Sequence, residues 1–123
     1  QYELVFPPLP EGTKFVDLVE ECGTNCYAIY GIIPDNELTA RLERLFSEAE
    51  ANSPGKNMLL FIKFLEENTN PGINGLLYVN IINAAIDAGN KADAEIWYKR
   101  LGSSDVPRRD VYIRLLNEKG IKF

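Results

Sequence analysis

The side chains able to do chemistry are few, and their spacing narrows what that chemistry is. Two cysteines, Cys22 and Cys26, stand in the run Cys-Gly-Thr-Asn-Cys. A tetrahedral metal site needs two further good ligands, and the chain has no histidine. Three residues separate the pair, unlike the two of thiol oxidoreductases. Plain buried thiols and a local Cys22–Cys26 disulfide are the readings this leaves ahead of metal or redox chemistry.

Acid–base catalysis finds little to work with. The commonest general base is missing with histidine. The carboxylate pairs Glu20-Glu21 and Glu66-Glu67 lie at polar helix edges, where a solvated face accounts for them. Gly72 and Gly75 follow Pro71 without the strand, Lys or Ser that a phosphate loop requires. The expectation is a protein that is not an enzyme and takes no cofactor.

Basic residues gather in one place. Arg100, Arg108, Arg109 and Arg114, with Lys99 and Lys119, form either a contact face for phosphate or an acidic partner, or solvated charge balanced by Asp105, Asp110 and Glu118. Beside them Trp97 reads as the core anchor of its helix, and Tyr98 or Tyr112 as a ring with its polar tip exposed.

The elements that must position these groups are helices. The chain has 123 residues, 46% of them hydrophobic and 25% charged, which is ordinary globular usage. No stretch approaches the roughly 20 apolar residues of a membrane span. Gln1 to Gly12 holds Pro7, Pro8 and Pro10, so it reads as an extended arm. Tyr2, Leu4, Val5 and Phe6 make that arm apolar enough to lie on a partner. From Thr13, the positions Phe15, Leu18, Val19 and Cys22 predict a helix ended by Gly23. Cys26 to Ile33 reads as a short strand or a helical turn.

Beyond Pro34 the start and stop signals repeat. Asp35 or Asn36 caps a helix through Ala49, and Ser53-Pro54 opens one over Lys56 to Glu67 that is apolar around a wide arc. Asn70-Pro71 opens a third helix that stops at Gly89. Asn90, with Asp93 three residues on, caps a fourth that Gly102 closes. Val111, Tyr112, Leu115 and Leu116 mark a last one ending at Gly120. The expected fold is all-α: a stack of antiparallel helical hairpins over residues 13–123, preceded by the Pro-rich arm 1–12.

Charge is placed unevenly. Gln1 to Asn36 carries one Lys against six acidic residues, Glu37 to Asn70 four basic against six acidic, and Pro71 to Phe123 eight basic against six acidic. A net charge of −5 argues against strong non-specific binding to nucleic acid.

The run from Tyr78 to Leu101 resembles one pentatricopeptide-type helical repeat. In that family a Tyr opens the first helix, Ala-Gly closes it, and an Ala lets the second helix pack closely; Tyr78, Ala88-Gly89 and Ala94 stand in those places. Val111-Tyr112 resembles the start of another unit, about one repeat length further on. The resemblance covers about a third of the chain. It implies a short α-solenoid, with Asn80 at the main base-reading position if the unit binds RNA. The family's association with mitochondria and chloroplasts implies an organelle, which fits a chain starting at Gln1 rather than Met. The function expected is a non-catalytic, protein-binding scaffold subunit of a larger assembly. An RNA-binding fragment and a secreted, effector-type interaction protein are the alternatives.

Overall fold

Punctuation residues decide where the elements begin and end. The computed structural model describes residues 12–19 and 28–123. In chain order they form β1 (Val16–Val19), β2 (Ala28–Ile32), α1 (Asn36–Glu50), α2 (Pro54–Glu67), a 3-10 turn (Pro71–Ile73), α3 (Asn74–Asp87), α4 (Lys91–Ser103) and α5 (Arg109–Glu118). The fold is all-α, with one small two-stranded ladder ahead of the helices.

The caps follow from chemistry. Asp35 accepts the Leu38 N–H at 3.1 Å, satisfying one of the free donors of α1. Pro54 occupies the first turn of α2, where its missing N–H costs nothing. Asn90 and Asp93 close a reciprocal box, the Asp93 N–H donating to Asn90 Oδ1 at 3.1 Å and Asn90 Nδ2 to Asp93 Oδ2 at 2.6 Å. At the end of α3, Gly89 takes φ +77° and Asn90 N–H returns to the Ala85 carbonyl at 2.8 Å. Gly120 does the same for α5, with Ile121 N–H on the Leu116 carbonyl at 3.0 Å. Gly102 does not close α4, which continues to Ser103 and is capped at Ser104.

α3 is the helix around which the others pack. Leu77 and Ile81 face a cluster with Leu38, Leu42, Leu45, Phe61 and Ile73. Ile82 and Ala85, further round the same helix, face Ala94, Tyr98, Leu101, Val106 and Leu116. A helix apolar on two sides belongs inside, and each of these Leu or Ile side chains contributes about 1.5–3 kcal/mol by leaving water. Met58 and Trp97 touch both clusters.

Of the helix expected from Thr13 to Gly23, the described part holds β1 (Val16–Val19) instead, paired antiparallel with β2: Val16 opposite Ile32, Leu18 opposite Ile29, Val19 opposite Ala28. The register shifts by one between Val16 and Leu18. β-Branched Val16, Val19, Ile29 and Ile32 favour a strand. Asp17, between Val16 and Leu18, is satisfied by Arg108 at 2.9 Å. The Pro-rich arm, with Tyr2, Leu4, Val5 and Phe6, and the cysteines Cys22 and Cys26 lie outside the described residues.

Candidate functional site

The amides after α2 fasten the hairpin to the helices. Asn68 turns back, its Nδ2 donating to the Asn70 carbonyl at 2.6 Å and to Asn74 Oδ1 at 2.7 Å. Asn70 is buried, with its Oδ1 taking the Gly72 N–H at 2.9 Å and its Nδ2 reaching the Lys14 carbonyl at 2.8 Å. Lys14 Nζ adds a contact to the Thr69 carbonyl at 3.3 Å. The two glycines dismissed as a phosphate loop are clearances. Gly72 lies against Phe15, with Cγ 2.7 Å from where its Cβ would be, and Gly75 against the Tyr112 ring. Burial, then the nearby Asp17 charge, raises the Tyr112 hydroxyl above its ordinary pKa.

Next to this junction is a mostly apolar groove of about 490 Å³, bordered by Ile32, Ile33, Leu42, Ile73, Leu76 and Tyr112. A second uncovered surface lies on α2. The sequence expects this helix to be buried over a wide arc, yet among its residues only Phe61 is fully buried. Leu59 is 63% exposed, and Leu60 and Phe64 floor a groove with Arg41, Arg44 and Lys63. The Arg41 guanidinium sits 5.3 Å from the Phe64 ring centroid.

The basic residues do not form one free patch. Arg108 pairs with Asp17 and takes left-handed backbone at φ 57°, unusual for a residue with a Cβ. Arg109 donates to the Ser104 carbonyl at 2.7 Å and lies 3.9 Å from Asp110. Lys99 pairs with Glu95 at 2.8 Å. Arg100 is exposed, its guanidinium 4.7 Å above the Trp97 ring, and Trp97 meets Tyr78 at 5.7 Å. Of the balancing acids read from the sequence, Asp110 takes part; Asp17 and Glu95 were missed because they pair across the fold and one turn back. Trp97 is only half-buried. Tyr98 is the buried ring, its hydroxyl donating to Asn117 Oδ1 at 2.8 Å. Asn80 is placed apart from the arginines, its Nδ2 held by the Leu76 carbonyl at 2.8 Å.

No protein-family model, no curated protein and no solved structure matches this chain. The chemistry of the surface therefore has to carry the reading by itself. Among the described residues, no group of three His, Cys, Asp or Glu side chains is placed to hold a metal ion. No helix is long and apolar enough to cross a membrane. What the described residues do offer is grooves between helices and apolar side chains in water.

The sequence does not disclose that Asn70 anchors the hairpin, that Gly72 and Gly75 are clearances, or that Asp17 and Leu59 matter at all. A signal existed for Gly75, since a glycine inside a helical pattern often marks close packing. None existed for Leu59, whose exposure depends on how α1 and α3 sit beside it.

Proposed function

We propose that this chain is a non-catalytic helical interaction module, a scaffold subunit of a larger protein assembly. One observation carries the reading: in the apolar run Met58-Leu59-Leu60-Phe61-Ile62 the chain's own fold buries Phe61 fully and Met58, Leu60 and Ile62 in part, but leaves Leu59 63% exposed. Leaving Leu59 in water forgoes about 1.5–3 kcal/mol that a partner surface would recover. Exposed Ile96 on α4 and Leu115 on α5 extend the same character. The Tyr78–Leu101 unit is where the helical-repeat resemblance lies, and degenerate short repeats of that kind suit protein scaffolds. An organelle is the setting that resemblance implies.

The test is the native size and composition of the protein drawn from its own source, by gentle extraction, sizing and mass spectrometry. The reading expects elution within a nuclease-resistant protein assembly, and loss of that assembly in Leu59→Asp, which removes no core side chain. Release by nuclease would replace it with RNA binding. A lone species near 13.9 kDa would sink it.

A further inference from the structure

Asn80 belongs to a groove of about 290 Å³ framed by the last turn of α1, the first turn of α2 and the outer side of α3. Its polar lining is Glu50, Asn57, Asn80, Asn83 and Asp87, with no Lys or Arg among the described residues that border it. Internal hydrogen bonds engage one N–H of each of two amides, Asn57 Nδ2 on the Ala49 carbonyl at 2.8 Å and Asn80 Nδ2 on the Leu76 carbonyl at 2.8 Å. Each keeps a second N–H and its Oδ1, and Asn57 Oδ1, like Asn52 Nδ2, has no partner although it is shut off from solvent. A buried acceptor left so costs about 1–3 kcal/mol.

The backbone adds to this. Glu50 and Asp87 are the last residues of α1 and α3, where the helix dipole is already negative, and neither helix has a basic residue in its last turn. One positive helix end, that of α2, borders the groove, and its first residue is Pro54, which has no N–H to give. Two negative ends and two carboxylates outweigh it. The volume is at the small end for a ligand pocket and matches one side chain rather than a cofactor.

We infer that this groove is the recognition point for a basic segment of a protein partner, taking one Arg or Lys side chain. The inference rests on the interaction-module reading and names the chemistry of the partner. Phosphate of an RNA backbone would meet carboxylates here, so an RNA occupant is disfavoured by charge.

The experiment is a titration of the isotope-labelled full chain, followed by its side-chain amide NMR signals. The probe is the blocked tripeptide Ac-Gly-Arg-Gly-NH2, with its citrulline counterpart as the neutral isostere. Saturable shifts of the Asn57, Asn80 and Asn83 side-chain amides are expected, with citrulline at least tenfold weaker. The surface variant Glu50→Gln/Asp87→Asn, with its backbone spectrum unchanged away from the groove, is expected to bind at least fivefold more weakly. Equal response to citrulline, unchanged binding by the variant, or shifts centred on another acidic face would overturn the inference. So would a single-stranded oligoribonucleotide that moves these amides while the arginine peptide does not. Failure here leaves the native-size result standing, whereas a saturable groove on a natively monomeric protein would overturn the scaffold reading alone.

Discussion

Gly75 lies against the ring of Tyr112 so closely that a methyl group on its α-carbon would fall among the ring atoms. The contact joins α3 to α5 at the point where the β-hairpin also docks. Alanine at this place gains up to about 1 kcal/mol of helix propensity but overpacks the contact by about 1–3 kcal/mol. Gly75→Ala is therefore expected to lower stability in urea unfolding. The loss should largely vanish when Tyr112→Ala is combined with it, giving a measurable coupling in the double-mutant cycle. Gly102→Ala is the contrast: with nothing within 4 Å of its Cβ position, it is expected to gain about 0.5 kcal/mol.

The raised Tyr112 pKa fixes the sign of a pH effect. Burial, and secondarily the Asp17 charge, holds the folded hydroxyl neutral at pH values where the unfolded chain has begun to lose that proton. Above the ordinary tyrosine pKa of about 10, the native state binds more protons than the unfolded one, so stability falls as pH rises. The fall continues until the folded group itself ionises. Urea midpoints measured across the alkaline range should show this decline, and Tyr112→Phe should make it shallower. An unchanged slope in the variant would remove Tyr112 from the account.

Asp17 and Arg108 stand 91 positions apart and join the hairpin to the start of α5. The pair is partly exposed on the arginine side, so its worth is no more than about 1 kcal/mol. Arg108 holds its place at a cost, since left-handed backbone is worth roughly 1–2 kcal/mol against a residue with a Cβ. The two substitutions should therefore differ. Asp17→Ala loses the pair and gains nothing, and is expected to destabilise by up to about 1 kcal/mol. Arg108→Gly loses the same pair but relieves the backbone, and is expected to be near neutral. Equal losses for both would show that the φ of Arg108 stores no strain.

How much of this could be read from the chain follows from the range of each interaction. Whereas Asn70 caps the Pro71–Ile73 turn and α3 starts only at Asn74, Asp35 and Asn90 announce α1 and α4 because a cap is satisfied within three residues. The Gly89 and Gly120 stops are legible for the same reason. The hairpin was misread because Phe15, Leu18 and Val19 look helical until β2, nine residues on, supplies the ladder. Arg108 was visible as charge, yet its partner lies in β1, and nothing local says so. Tyr98 rather than Trp97 is the buried ring of α4, and its partners Asn117 and Phe123 lie too far along the chain for the local pattern to show it. The uncovered side of α2 was invisible for a related reason: its sequence is that of a buried helix, and this fold buries it only in part.

Asn70 is the residue on which the docking of the hairpin most depends. At 7% exposure it is the one buried polar side chain among the described residues, and it is satisfied from both ends. Its Oδ1 holds the Gly72 N–H of the turn that leads into α3, and its Nδ2 holds the Lys14 carbonyl next to β1. Removing the side chain strands a buried N–H and a carbonyl, a loss of about 1–3 kcal/mol. Asn70→Asp separates the two ends: the carboxylate still accepts from Gly72 but has no donor for Lys14. Asn70→Ala is expected to lower the urea midpoint and to speed hydrogen exchange over Val16–Val19 and across the Pro71–Ile73 turn. Asn70→Asp is expected to speed exchange over Val16–Val19 while leaving the turn protected. Protection of the strand in both variants would mean that the hairpin is held by Phe15 against Gly72 and by Asp17 on Arg108, with the amide contributing only to the turn.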